Sequence, residues 1–136
     1  IAVPASVPIL TRMLTETGKH ADAGKVVILT ALAQRPEPLL FEAVCEAALS
    51  GSAPARTQAT KALRKYSDKR AINTFIDILS SANKDLYYAK KESRYALEEL
   101  TGHDGSDEAH RSGEESASLW RQVLNLPDPA GTPGDP

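Results

Sequence analysis

Residues 53–81, APARTQATKALRKYSDKRAINTFIDILSS, constrain the fold more than any other stretch of this chain. Ala59, Ala62, Leu63 and Tyr66 stand at i, i+3, i+4 and i+7, which puts them on one face of an α-helix. Arg56, Lys61, Arg64 and Lys65 fall on the other faces, where solvent is expected. Ser52 is placed to cap this helix, and Pro54 sits in the first turn, where its missing N–H costs nothing. Ser67-Asp68 then interrupts the pattern, and Asp68 can cap a second helix. There Ile72, Phe75, Ile76 and Leu79 repeat the same spacing. Each helix has one apolar stripe, and a lone hairpin cannot cover both, so neighbouring hairpins must do so.

The rest of the chain supplies those neighbours. Ala62-Leu63 has counterparts at Ala31-Leu32 and Ala96-Leu97, 31 and 34 residues away. A period of this size implies stacked helix pairs. Six positions before each alanine stands a basic residue: Lys25, Arg56 and Lys90. The preceding helices also correspond, through Ile9-Leu10-Met13-Leu14, Phe41-Val44-Cys45-Ala48-Leu49 and Ile72-Phe75-Ile76-Leu79. Three diverged units are expected, over residues 5–35, 36–67 and 68–101.

In these residues the chain resembles the HEAT-like repeat family, in its short bacterial, phycobilisome-lyase-type form. Arg56, Ala59, Ala62, Leu63, Ser67-Asp68, Ala71-Ile72 and Ile76 to Leu79 match that pattern. Asp85, Lys90, Ala96 and Leu97 carry it into the third unit, where Ser93 replaces a small apolar residue. The first unit departs most, with Lys25 for the usual Arg and a large Ile28. The resemblance implies an all-α, right-handed α–α superhelix, a solenoid of three helix pairs. It also implies an interaction scaffold, since the family consists mostly of these, with some pigment-attaching lyases among its members. A resemblance of fold is not by itself an argument about chemistry.

Taken in order, Ser6 can cap a first helix to Leu14, with Pro8 in its opening turn and Gly18 beyond its end. Asp22 precedes a second helix whose Val27, Ile28, Ala31 and Leu32 are apolar; Pro36 and Pro38 stop it. A third helix spans about 38–49. After the central hairpin, Asn83-Lys84-Asp85 turns into a sixth helix carrying Ala89, Ser93, Ala96, Leu97 and Leu100. Residues 102–112 form an acidic loop. Residues 101–136 hold 2 basic and 7 acidic side chains, whereas residues 1–100 hold 14 and 11. A final helix over 113–125 is expected, with Ser112 and Glu115 as a capping box and Trp120, Val123 and Leu124 as its apolar face. Physically it is a lid on the exposed end of the stack. The chain thus reads as one repeat domain, 1–126, followed by a Pro/Gly-rich tail, 127–136, of linker type. Because it opens at Ile1 without an initiator methionine or signal-peptide pattern, a piece of a longer protein is expected.

Several function classes find little support. Net charge is −2, so no strong field steers the chain toward nucleic acid or a membrane surface. No apolar run reaches the ~20 residues of a membrane span. Cys45 is the only cysteine and sits among Phe41, Val44, Ala48 and Leu49 as a small buried hydrophobe. There is no nucleophile triad, no phosphate-cradling glycine loop and no pair of carboxylates in an apolar frame, so catalysis is not expected. His103, Asp104, Asp107, Glu108 and His110 have neither EF-hand nor H-E-x-x-H spacing, so neither a metal nor another cofactor is expected.

The polar features that remain suit binding. The ladder Lys25, Arg56, Lys90 has two readings: a groove for an anionic partner, or structural pairs with turn carboxylates such as Asp22, Asp68 and Asp85. Residues 52–94 carry ten basic and four acidic side chains, which keeps anion or nucleic-acid binding as an alternative. Tyr87, Tyr88 and Tyr95 are candidate interface anchors, weighed against plain packing between repeats. The expected function is a non-catalytic protein–protein interaction module, monomeric and part of a larger protein. Its surface is the second helices at about 22–34, 53–66 and 86–100. Contacts are expected at Arg56, Thr60, Lys61, Lys91 and Arg94, with Tyr87 and Tyr88 at the rim. The alternatives are the anion binder and a HEAT-like lyase or enzyme accessory subunit. The sequence implies no compartment.

Overall fold

A computed structural model describes residues 6–16, 21–103 and 113–127. Among these residues the chain is all-helical, without a strand. The helices are α1 (Ser6–Thr15), α2 (Ala21–Gln34), α3 (Phe41–Leu49), α4 (Ala53–Tyr66), α5 (Ile72–Ser80), α6 (Tyr87–Thr101) and α7 (Gly113–Val123). The expected acidic loop and its histidines from Asp104 on, the Ser112 side of the capping box, and the tail beyond Pro127 lie outside the described residues.

Local chemistry sets the boundaries. Ser52 caps α4 by accepting from the Ala55 N–H at 3.4 Å, and α4 ends where Ser67 adopts a left-handed φ of 49°. Short 3-10 turns at Pro38–Leu40, Lys69–Ala71 and Lys84–Leu86 lead into α3, α5 and α6. Each opens on a side-chain oxygen that accepts from the N–H two residues on: Glu37 from Leu39, Asp68 from Arg70, and Asn83 from Asp85. The third α-helix therefore begins at Phe41, after a tight turn, and not at Pro38. Gly102, with φ of 77°, stops α6 by donating its N–H to the Glu98 carbonyl at 2.9 Å.

The helices form two layers. In one, α1 packs on α3, α3 on α5 and α5 on α7; in the other, α2 packs on α4 and α4 on α6. Within the pairs, α1 lies on α2, α3 on α4 and α5 on α6. One contiguous core runs between the layers through Leu14, Leu29, Val44, Leu63, Phe75, Ile76, Leu86, Leu97 and Trp120. Buried alanines at 47, 48, 55, 59, 62, 89 and 96 let the helix axes approach closely. Tyr66 ties the end of α4 to the start of α3 within the second unit: it stands edge-on to Phe41 at 5.4 Å and donates its hydroxyl to the Glu37 carbonyl at 2.7 Å.

Candidate interaction surface

The repeat spacing and the observed exposure together define one solvent-facing side of the α2–α4–α6 layer. Its rows across the three helices are Ala23, Pro54, Tyr88; then Val27, Gln58, Glu92; then Thr30, Lys61, Tyr95; then Gln34, Lys65, Glu99. The side chains in these rows are exposed or half-buried. Chemistry varies along the layer: neutral and small on α2, basic on α4, mixed aromatic and acidic on α6.

Tyr87 and Tyr88 are 63% and 65% exposed, and their rings meet edge to face at 5.2 Å. Tyr88 walls an open groove of about 470 Å³, together with Ala53, Pro54 and Thr57 from the first turns of α4 and with Asp85. Lys61 and Lys91 are exposed on α4 and α6, as expected. No carboxylate lies within 4 Å of Lys61, Lys65, Lys84 or Lys91 among the described residues.

Three expected contacts differ in character. Thr60 is fully buried and donates its hydroxyl to the Arg56 carbonyl at 2.8 Å, so it is a packing residue. Arg56 is half-buried with its Nε donating to the Ala48 carbonyl at 3.1 Å, and burial pulls its pKa down. Arg94 is half-buried and stacks on the Tyr95 ring at 5.1 Å.

The ladder does not pair with the turn carboxylates. Arg56 uses the carbonyl at the end of α3. Lys25 is buried with no hydrogen-bond partner for Nζ, and Lys90 is held below its ordinary pKa by burial. Asp68 is already committed: Arg70, two residues on, gives it a guanidinium pair at 2.7 Å and a backbone N–H at 2.9 Å. A partner that close outcompetes one on a neighbouring helix.

Arg64 is shared between two carboxylates, and no local pattern marks it. From α4 it grips Glu99 on α6 through Nε at 2.9 Å and Nη2 at 2.8 Å, and Glu92 through Nη1 at 3.2 Å. It also lies 5.4 Å from the centre of the Tyr95 ring. Hydrogen bonds from Arg64 hold the Glu99 carboxyl below its usual range, and the guanidinium is pushed up in turn. Arg121 likewise faces Asp77, at 3.5 Å. Of the ten basic side chains in residues 52–94, Arg64 and Arg70 have a carboxylate within 4 Å among the described residues, so most of the basic surplus is left unpaired. No group of three or more His, Cys, Asp or Glu among the described residues is arranged to hold a metal.

Comparison of the chain with protein-family profiles, with curated proteins and with solved structures returns no match.

Proposed function

We propose that the chain is a HEAT-like interaction module, a right-handed superhelix of three helix pairs closed by α7. It is non-catalytic and binds a protein partner across α4 and α6. The observation that carries this reading is the Tyr87–Tyr88 pair, standing in solvent beside the groove between the two helices. Exposed tyrosines combine large contact area with little entropy loss, which is why interfaces are enriched in them. Lys91, one turn on from Tyr88 along α6, and Lys61, exposed on α4 two rows further along, favour a partner with carboxylates.

A photo-crosslinking residue at position 88, at position 91, or at the exposed Glu46 on α3 tests the reading. The same protein captured from 88 and 91, and absent from 46, supports it. Capture from 46 alone, or none from 88 and 91, ends it. The anion-binding reading draws on exposed Lys61, Lys65, Lys69, Lys84 and Lys91, none of which has a carboxylate within 4 Å among the described residues. It requires affinity for single- or double-stranded DNA that falls steeply with salt and disappears with Lys61→Glu and Lys91→Glu.

A further inference from the structure

Twice in this molecule an arginine bridges a carboxylate and an aromatic ring. Arg70 gives Asp68 a guanidinium pair at 2.7 Å and lies over Phe41, 4.4 Å from the centre of its ring. Arg64 pairs with Glu99 at 2.8 Å and Glu92 at 3.2 Å, and stands 5.4 Å from the centre of the Tyr95 ring. The guanidinium suits both duties at once: its edge carries donors for a carboxylate, and its weakly hydrated face settles on a ring.

A third carboxylate and ring share a site that opens to solvent. Asp85 and Tyr88, three residues apart where α6 begins, both wall the groove whose other side is Ala53, Pro54 and Thr57 of α4. Asp85 is exposed, and no cation lies within 4 Å of its carboxylate among the described residues. Tyr88 is braced edge to face by Tyr87. Across the groove, Ala53 and the Pro54 ring supply apolar surface on which the methylene stem of a long side chain can lie.

We infer that this groove seats an arginine side chain of the protein partner, with its stem along Ala53 and Pro54 and its guanidinium on Asp85 and the Tyr88 ring. The inference rests on the interaction-module reading and sharpens it, because it names the residue that the partner inserts. Lysine fits less well, since a compact, strongly hydrated ammonium gains less from a ring face. Exposed Lys84 and Lys91 bracket Asp85 and Tyr88 along the chain. They repel a wholly basic segment and attract carboxylates, so the arginine should stand among Asp or Glu residues. Attraction for one sign beside repulsion of the same sign is what makes such a surface selective.

Titration of the whole chain with the peptide acetyl-Asp-Ala-Arg-Ala-Asp-amide, followed by amide and tyrosine-ring NMR shifts up to ~10 mM, tests this. Saturable shifts at Thr57, Asp85 and Tyr88 are expected, with a Kd of about 1 mM for a single anchor. Exchanging the peptide's arginine for glutamine should weaken binding ~10-fold, and for lysine ~3-fold or more. Asp85→Asn should weaken it ~5-fold or more and Tyr88→Leu ~3-fold or more, whereas Glu46→Gln, exposed on α3, should change nothing. No shift at the groove, equal binding by the glutamine or lysine peptide, or a Kd unmoved by Asp85→Asn overturns the inference. Asp85 and Tyr88 are both exposed, so their substitution disturbs nothing inside, and the contrast between peptides on the wild-type chain decides independently of any variant. Crosslinked capture at positions 88 and 91 beside a negative titration removes the arginine seat alone. A positive titration without capture removes the module reading and leaves the seat.

Discussion

Replacing Arg64 by methionine removes the clamp between α4 and α6 while keeping the aliphatic stem in place. The guanidinium makes two bonds to Glu99 at 2.8 and 2.9 Å and one to Glu92 at 3.2 Å. The Arg64 and Glu92 side chains are 27% and 23% exposed, whereas Glu99 is 56% exposed, so solvent screens the second pair strongly. Pairs in such settings contribute ~0.2–1 kcal/mol each, with fork-to-fork geometry at the upper end. The network should therefore be worth about 1–2 kcal/mol, which for a chain of this size lowers Tm by roughly 3–10 °C. Urea denaturation of Arg64→Met, Glu99→Gln and the double variant should return a coupling of ~0.5–1 kcal/mol. The acid dependence has a definite sign. Glu99 titrates below an unfolded glutamate, so its share of stability is complete above about pH 4.5 and is lost as pH falls through the lower folded value. Wild type and Arg64→Met should draw together as the pH is carried down through the lowered folded value of Glu99. A coupling under ~0.2 kcal/mol at low salt, or a gap that does not narrow at all on acidification, would refute the reasoning.

Trp120→Ala should cost ~3–5 kcal/mol, because a fully buried indole leaves a cavity between α7 and α5; a loss under ~1 kcal/mol in urea melts would mean α7 is dispensable. Tyr66→Phe should cost ~1 kcal/mol through the lost bond to the Glu37 carbonyl, and alkaline difference spectra should find the wild-type phenol pushed up to about 12 by burial. Cys45 is half-buried and burial raises its pKa, so it should react with a disulfide reagent at about pH 8 at least ~10-fold more slowly than in the unfolded chain. Equal rates would place the thiol in solvent.

Periodicity made the helices legible. Ala59, Ala62 and Leu63 are buried together, Ser52 caps α4, and Trp120 seals α7, all as their spacing and residue types imply. The 3-10 turns were not legible, because Glu37 and Asn83 look like ordinary loop residues until their side-chain oxygens are seen bonding two residues on. Ala31 looks like core in the sequence and its counterparts Ala62 and Ala96 are buried, but no other described element lies over it and it is exposed; Val27 looks like core too, yet it shares its register with half-buried Gln58 and Glu92 on the solvent-facing side. Arg64 reads as one cation in a wet run, since its partners stand 28 and 35 residues away on another unit. Thr60 was misplaced for a related reason: α2 and α6 flank α4 on both sides and leave little of its surface free.

In both layers, packing links each helix to its immediate neighbours in the stack, and α2 makes no substantial contact with α6. Tension or thermal fraying at either end can therefore strip one hairpin without dismantling the remainder. The α3–α4 hairpin, held from both sides, should be the last to surrender its amide protons to solvent exchange. Such a molecule gives way in steps, like a zipper opened from its ends, and a partner gripping α4 and α6 would lock the teeth that part last.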